Sequence, residues 1–185
     1  MTTSLLLIDV QNDYFPGGKM ELEGSLEAAQ QARRLLDCFR QRHLPLVHIQ
    51  HLAVRPGATF FLPGTKGAQI HPLVAPLEGE TLFQKNYPNS FRQTSLLEHL
   101  HSLSVDRLVI AGSMTHMCID ATTRAAYDHG FQCLVAHDAC ATRALNFGER
   151  TVPAADVHAA FLAALKSTFA TVLSVEEILK ESEMQ

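Results

Sequence analysis

Three side chains in this sequence could together cut a carbonyl–nitrogen bond: the carboxylate of Asp9, the ammonium of Lys85 and the thiol of Cys118. Thiolate is the nucleophilic form of cysteine, and a helix N-terminus or a nearby ammonium favours it. A carboxylate beside the thiol can accept its proton as substrate arrives and later return it to a leaving amine. In these roles Cys118 attacks, Asp9 shuttles the proton, and Lys85 stabilises the thiolate and positions Asp9. Singly, each has a plainer reading: a polar strand end, a solvated lysine, a small buried cysteine. The elements that carry them separate the two.

Asp9 lies at the end of "SLLLIDV" (residues 4–10), a continuous apolar run that reads as a parallel strand buried on both faces. Gln11, Asn12 and Asp13 follow, then Pro16, Gly17 and Gly18, the punctuation of a loop. Lys85 closes a third strand, "TLFQK" (81–85), and Cys118 follows the fourth, "DRLVIAGS" (106–113), in the first turn of a predicted helix over 116–130. Helical spacing marks 24–42, with Ser25 as N-cap, and 94–103, with Thr94 as cap. The second strand is "LPLVHIQH" (44–51) and the fifth "FQCLVAHDAC" (131–140); a helix over 154–167, the strand "FATVLS" and the helix "SVEEILKE" complete the chain.

Six strands alternating with helices predict a three-layer α/β/α fold around a mostly parallel, Rossmann-like sheet. In the order 3-2-1-4-5-6 the switch point falls between strands one and four, so Asp9 and Cys118 flank one crevice at the carboxyl ends. Lys85 sits two strands from the first, about 10 Å away, and must reach inward on its long stem. With no internal repeat or linker, 185 residues predict a single domain.

At 46% hydrophobic and 18% charged, the composition is that of a globular protein. A net charge of −4 with scattered cations offers nucleic acid no basic stripe. The six-residue apolar run near the N-terminus is too short for a signal-peptide core or a membrane span, so the expected location is the cytoplasm. Cys38, Cys118, Cys133 and Cys140 lack C-x-x-C spacing, which argues against a zinc cluster or a disulfide framework.

Through "LLLIDVQNDYFPGG", "QKNYPNSF" and "VIAGSMTHMCID", the chain resembles the isochorismatase-like cysteine hydrolases over nearly its whole length. That family includes nicotinamidases and other small-amide hydrolases. The resemblance implies an Asp-Lys-Cys triad at Asp9, Lys85 and Cys118 and a non-proline cis peptide at Ser113–Met114. It also implies an oxyanion hole made by the backbone N–H groups of Met114 and Cys118. Nicotinamidases of the family bind a divalent metal through an Asp-x-His pair and a further His after the second strand. Here that region reads "VHIQHLAVRPGATFF", where His48 and His51, three apart on a strand, point to opposite faces and no acidic ligand follows. No metal and no cofactor are expected.

Residues 52–80 form a long Gly- and Pro-rich connection of the kind that covers a site. Gln11 and His116 are candidate polar substrate contacts, with His71 a further candidate; Phe60, Phe61, Tyr87 and Phe91 are candidate apolar walls, for which core packing is the competing assignment. Cys140, near Asp138, reads as structural. If the "GATFFLPG" loop were open it would expose two phenylalanines, which predicts a homo-oligomer, a dimer or tetramer. The sequence thus predicts a metal-independent amidohydrolase, cleaving a non-peptide C–N bond of a small molecule through a thioester. A metal-assisted nicotinamidase and a catalytically silent binding or scaffold domain are the competing readings.

Overall fold

Along β1 (Thr2–Ile8), Leu5 and Leu7 face one layer while Leu6 and Ile8 face the other, and all four are buried. The same division holds in β4 (Val105–Ser113), with Val109 and Ala111 on one side and Leu108 and Ile110 on the other. Strands apolar on both faces need helices on both sides. In the computed structural model, which describes residues 1–183, α1 (Ser25–Gln41) and α5 (Val175–Glu183) cover one face. On the opposite face lie α2 (Leu96–Ser102), α3 (Asp120–Asp128) and α4 (Ala154–Thr168). No helix among the described residues is long and apolar enough to cross a membrane.

The sheet runs β3-β2-β1-β4-β5-β8, where β2 is Leu46–His51, β3 Thr81–Lys85, β5 Gln132–Ala141 and β8 Thr171–Leu173. Every neighbouring pair in it is parallel. This is the predicted α/β architecture and sheet order, with one addition. An antiparallel hairpin of β6 (Leu145–Phe147) and β7 (Arg150–Val152) precedes α4. Strands of three residues carry too little periodicity to be read from sequence.

Local starts differ in three places. Ser25 is the first residue of α1 rather than its cap; Gly24 caps it in the left-handed region, with φ 70°. The cap position of α2 is Ser95, and Thr94 lies one residue before it. The helix predicted over 116–130 is divided into a π-helical turn, Thr115–Ile119, and α3.

Two features fix the sheet, the first of them at the switch point between β1 and β4. Gly112 pairs with Ile8, and with φ 125° a Cβ there would collide with the Ile8 carbonyl oxygen, so glycine lets β4 lie flush beside β1 where Asp9 departs. At the other end of the long connection, Glu80 accepts two bonds from Arg40 of α1, at 2.7 and 2.8 Å, and one from His48 Nε2 of β2 at 2.9 Å. The Arg40 guanidinium is the main reason the Glu80 carboxyl is held down at about 2. Glu80→Ala should therefore lower the unfolding free energy at neutral pH by about 1–3 kcal/mol. A depressed carboxyl stabilises above its unfolded value and loses that contribution as pH falls through the folded one. The gap between variant and wild type in urea denaturation should then close as pH drops from 4.5 toward about 2. A gap unchanged across that window would show that Glu80 acts through packing alone.

Candidate active site

Asp9 directly follows β1 and turns the chain with φ 53°, a conformation aspartate tolerates better than most residues. Its N–H donates to the Ile49 carbonyl, and its side chain is fully buried. Lys85 ends the edge strand β3 beside His51 in the register of β2, and its stem spans the distance to β1. Its Nζ donates to Asp9 Oδ2 at 2.7 Å, to the carbonyls of Tyr87 and Pro88 at 3.1 and 3.3 Å, and meets His51 Nδ1 at 3.2 Å. An ammonium has only donors, so His51 Nδ1 accepts and the ring proton sits on Nε2. Asp9 Oδ1, also buried, has no hydrogen-bond partner among the described residues.

Cys118 joins this group from the π-helical turn and is 2% exposed. Its Sγ lies within 4.8 Å of an Asp9 carboxylate oxygen and of a His51 ring nitrogen. The turn begins directly after a cis peptide at Ser113–Met114, and the Met114 carbonyl accepts from the N–H groups of Met117 and Ile119 at 3.0 and 3.2 Å.

Burial raises the Asp9 carboxyl, but the Lys85 ammonium beside it holds the group below its ordinary value. Burial likewise lowers Lys85, and Asp9 outweighs it in the opposite direction. Cys118 is pushed far up, first by burial and then by the Asp9 charge, with Lys85 opposing both. At rest the trio is therefore carboxylate, ammonium and thiol. The sequence placed Cys118 in the first turn of a helix; it lies instead in the π-helical turn that precedes α3, where burial opposes the thiolate that Lys85 favours.

A cavity of about 300 Å³ opens onto the thiol, lined by Tyr14, His51, Arg55, Phe60, Tyr87, Met114 and Met117 among others. Of the candidate contacts, Phe60 and Tyr87 line it. Gln11 does not: its Nε2 donates to the carbonyls of His51 and Ala68 at 2.9 and 2.8 Å, and its Oε1 accepts from the His51 N–H at 2.7 Å. Phe61 is fully buried against Tyr14, with ring centroids 4.5 Å apart, and Phe91 packs on Phe131 in the core under α2 and α3. His116 is spent on Thr142, its Nδ1 2.6 Å from the hydroxyl, and His71 stacks on Phe15. Cys140 is buried and lines a different depression. Apolar and aromatic residues read from sequence do not distinguish pocket wall from core. The same packing removes the exposed Phe60–Phe61 pair from which self-association was predicted.

Sequence reasoning missed His51, Tyr14, Arg55 and Met117. His51 had a usable signal, because it ends a parallel strand as Lys85 does. The polar run after β1 also resolves into separate tasks. Asp13 Oδ2 accepts from the Phe61 N–H at 2.6 Å and Asn12 Nδ2 donates to the Lys66 carbonyl at 2.8 Å. With Gln11 on Ala68, these bonds clamp the middle of the long connection and leave its first part to wall the cavity.

Asp9, His51 and Cys118 form one group of three whose ligand atoms could surround a cation. The donor set does not fit one, because Asp9 Oδ2 and His51 Nδ1 both already face the Lys85 ammonium, and a metal shared between them would meet a full positive charge. His48 is turned to the opposite side, onto Glu80.

The model of the isochorismatase domain matches residues 3–177 of this chain. The chain belongs to the isochorismatase family. It is 51% identical over 180 residues to the isochorismatase family protein YddQ of Bacillus subtilis, covering 97% of this chain and all 100% of that one. The maleamate amidohydrolase of Pseudomonas putida is 33% identical over 154 residues, covering 76% of this chain and 72% of the relative. A crystal structure of an isochorismatase hydrolase from Oleispira antarctica superposes with a TM-score of 0.93 at 54% identity, covering 97% of this chain and 96% of that one. The protein is a hydrolase of this family.

Proposed function

We propose that this isochorismatase-family hydrolase cleaves a small amide or related C–N bond through a thioester on Cys118, without a metal. The observation that carries this is the buried Asp9–Lys85 pair at 2.7 Å beside the Cys118 sulfur, which lines a largely apolar cavity. As the substrate carbonyl reaches Cys118, Asp9 takes the thiol proton and sulfur bonds to the carbonyl carbon. The N–H groups of Met114 and Cys118 hold the oxyanion. Collapse breaks the C–N bond and Asp9 hands its proton to the departing amine. Water then attacks the thioester with Asp9 as base, releasing the acid and restoring the thiol. Lys85 keeps Asp9 ionised between these transfers. That a 33% identical relative is named as an amidohydrolase agrees with this reaction class.

The test is ammonia release from a panel of small amides, with Cys118→Ala as the control. Turnover of at least one amide above that control is expected. If none turns over, a non-amide substrate or a binding role becomes the better account. Turnover should also survive exhaustive chelation, because the Lys85 ammonium already contacts Asp9 Oδ2 and His51 Nδ1 and would repel a cation beside them. Activity lost on chelation and restored by zinc, iron or manganese would favour the metal-assisted nicotinamidase.

A further inference from the structure

For the hydrolase proposed above, and resting on that proposal, we infer that the substrate carries an anionic group, a carboxylate in the simplest case, which Arg55 receives at the cavity mouth.

No aspartate or glutamate lines the cavity, and Arg55 is its one formally charged arginine or lysine. Beside it, Asp9 and Lys85 cancel and Cys118 rests as a neutral thiol, so the positive charge of Arg55 is unbalanced. Three other arginines are matched to carboxylates, Arg33 with Asp37, Arg40 with Glu80 and Arg124 with Asp120. Arg55 is exposed and pairs with no carboxylate among the described residues. A cation left unpaired in a cavity wall, in a chain of net charge −4, is placed for a ligand rather than for the fold.

Two neighbours extend the same field. Arg92 lies over the ring of Tyr87, a lining residue, at 3.7 Å, and the charge of Arg143 acts on Tyr14, another lining residue. Neither has a carboxylate partner among the described residues. The polar lining is also rich in donors: His51 carries its proton on Nε2, and Tyr14 and Tyr87 bring hydroxyls. A cavity with donors and unmatched guanidinium groups favours an acceptor-rich anion and repels an amine. Arg55 is four residues beyond His51, on the part of the long connection that Gln11, Asn12 and Asp13 leave free to wall the site. The group it receives would thus lie at the end of the substrate away from the scissile carbonyl, and a guanidinium can take a carboxylate with two parallel bonds.

The test compares monoamides of short dicarboxylic acids, from oxamate to glutaramate, with their uncharged diamides. Wild type should prefer the anionic member of at least one pair in kcat/KM. Arg55→Gln should lower that preference by about tenfold or more, the worth of a hydrogen bond to a charged group. Arg34→Gln, on the exposed side of α1, is the control for a general loss of surface charge, and added salt should erode the preference in wild type. A second arm needs no turnover: calorimetric titration of Cys118→Ala protein with the dicarboxylates and the diamides, with and without Arg55→Gln. Dicarboxylate binding weakened about tenfold by Arg55→Gln, with no ammonia released from any probe, would sustain the anion site and sink the proposed amide cleavage. Equal handling of charged and uncharged members in both arms, unchanged by Arg55→Gln, would overturn the anion site and leave the hydrolase standing.

Discussion

Cys118→Ala protein should release no ammonia above background from any amide that wild type cleaves, while unfolding within a few degrees of it. Sulfur at this position is the one nucleophile the proposed route possesses, and alanine has nothing with which to form the thioester. The structural cost is small because one atom is removed. Cys118 is only 2% exposed, so its loss leaves a small void worth about 1 kcal/mol, or roughly 2–4 °C in a chain of this size. Circular dichroism and ammonia release on one preparation separate the two effects. A second substitution at Asp9 on top of Cys118→Ala should make little further difference, since residues of one catalytic unit do not add. Near wild-type hydrolysis by the alanine protein would put the nucleophile elsewhere.

Changes at Asp9 and Lys85 should move the thiol in opposite directions. Asp9→Asn removes both the proton acceptor and the negative charge that helps hold Cys118 protonated. Hydrolysis should fall by about 10² to 10⁴-fold while iodoacetamide alkylation of Cys118 at neutral pH becomes faster. Lys85→Ala withdraws the charge that favours thiolate, so both hydrolysis and alkylation should slow. It also strands a buried carboxylate, at a stability cost of about 3–5 kcal/mol near neutral pH. The pH signs differ too. The depressed Asp9 carboxyl stabilises wild type above its unfolded value and loses that as pH falls through its folded one. The raised Lys85 contributes below its unfolded value and loses that as pH rises through its folded one. In Lys85→Ala protein, Asp9 should take up its proton at higher pH, so the stability deficit should shrink in acid. Alkylation rates that change in the same direction in both variants would refute the charge arrangement described for the trio.

The order of strands was legible because parallel strands in this chain are continuous apolar runs, and helical periodicity separates them. Once that order is known, topology brings the ends of β1 and β3 and the start of the turn after β4 to one side of the sheet. Asp9, Lys85 and Cys118 therefore meet at one place, as strand ends and the family resemblance together implied. The family, too, was legible in the segments that carry them.

Other properties depend on contacts between residues far apart in sequence. Whether Gln11 meets substrate or the backbone of His51 and Ala68 is decided by the end of β2 and by a loop, 40 and 57 residues further along the chain. Phe60 walls the cavity and its neighbour Phe61 fills the core, a division set by the bond from Phe61 N–H to Asp13. The proton on Cys118 is likewise tertiary, because burial and an adjacent carboxylate override the local pull of a turn and an ammonium. Periodicity reports which face of an element is apolar. Depth of burial, the direction of a polar group and the charge state of a thiol are set by what the rest of the fold places against it.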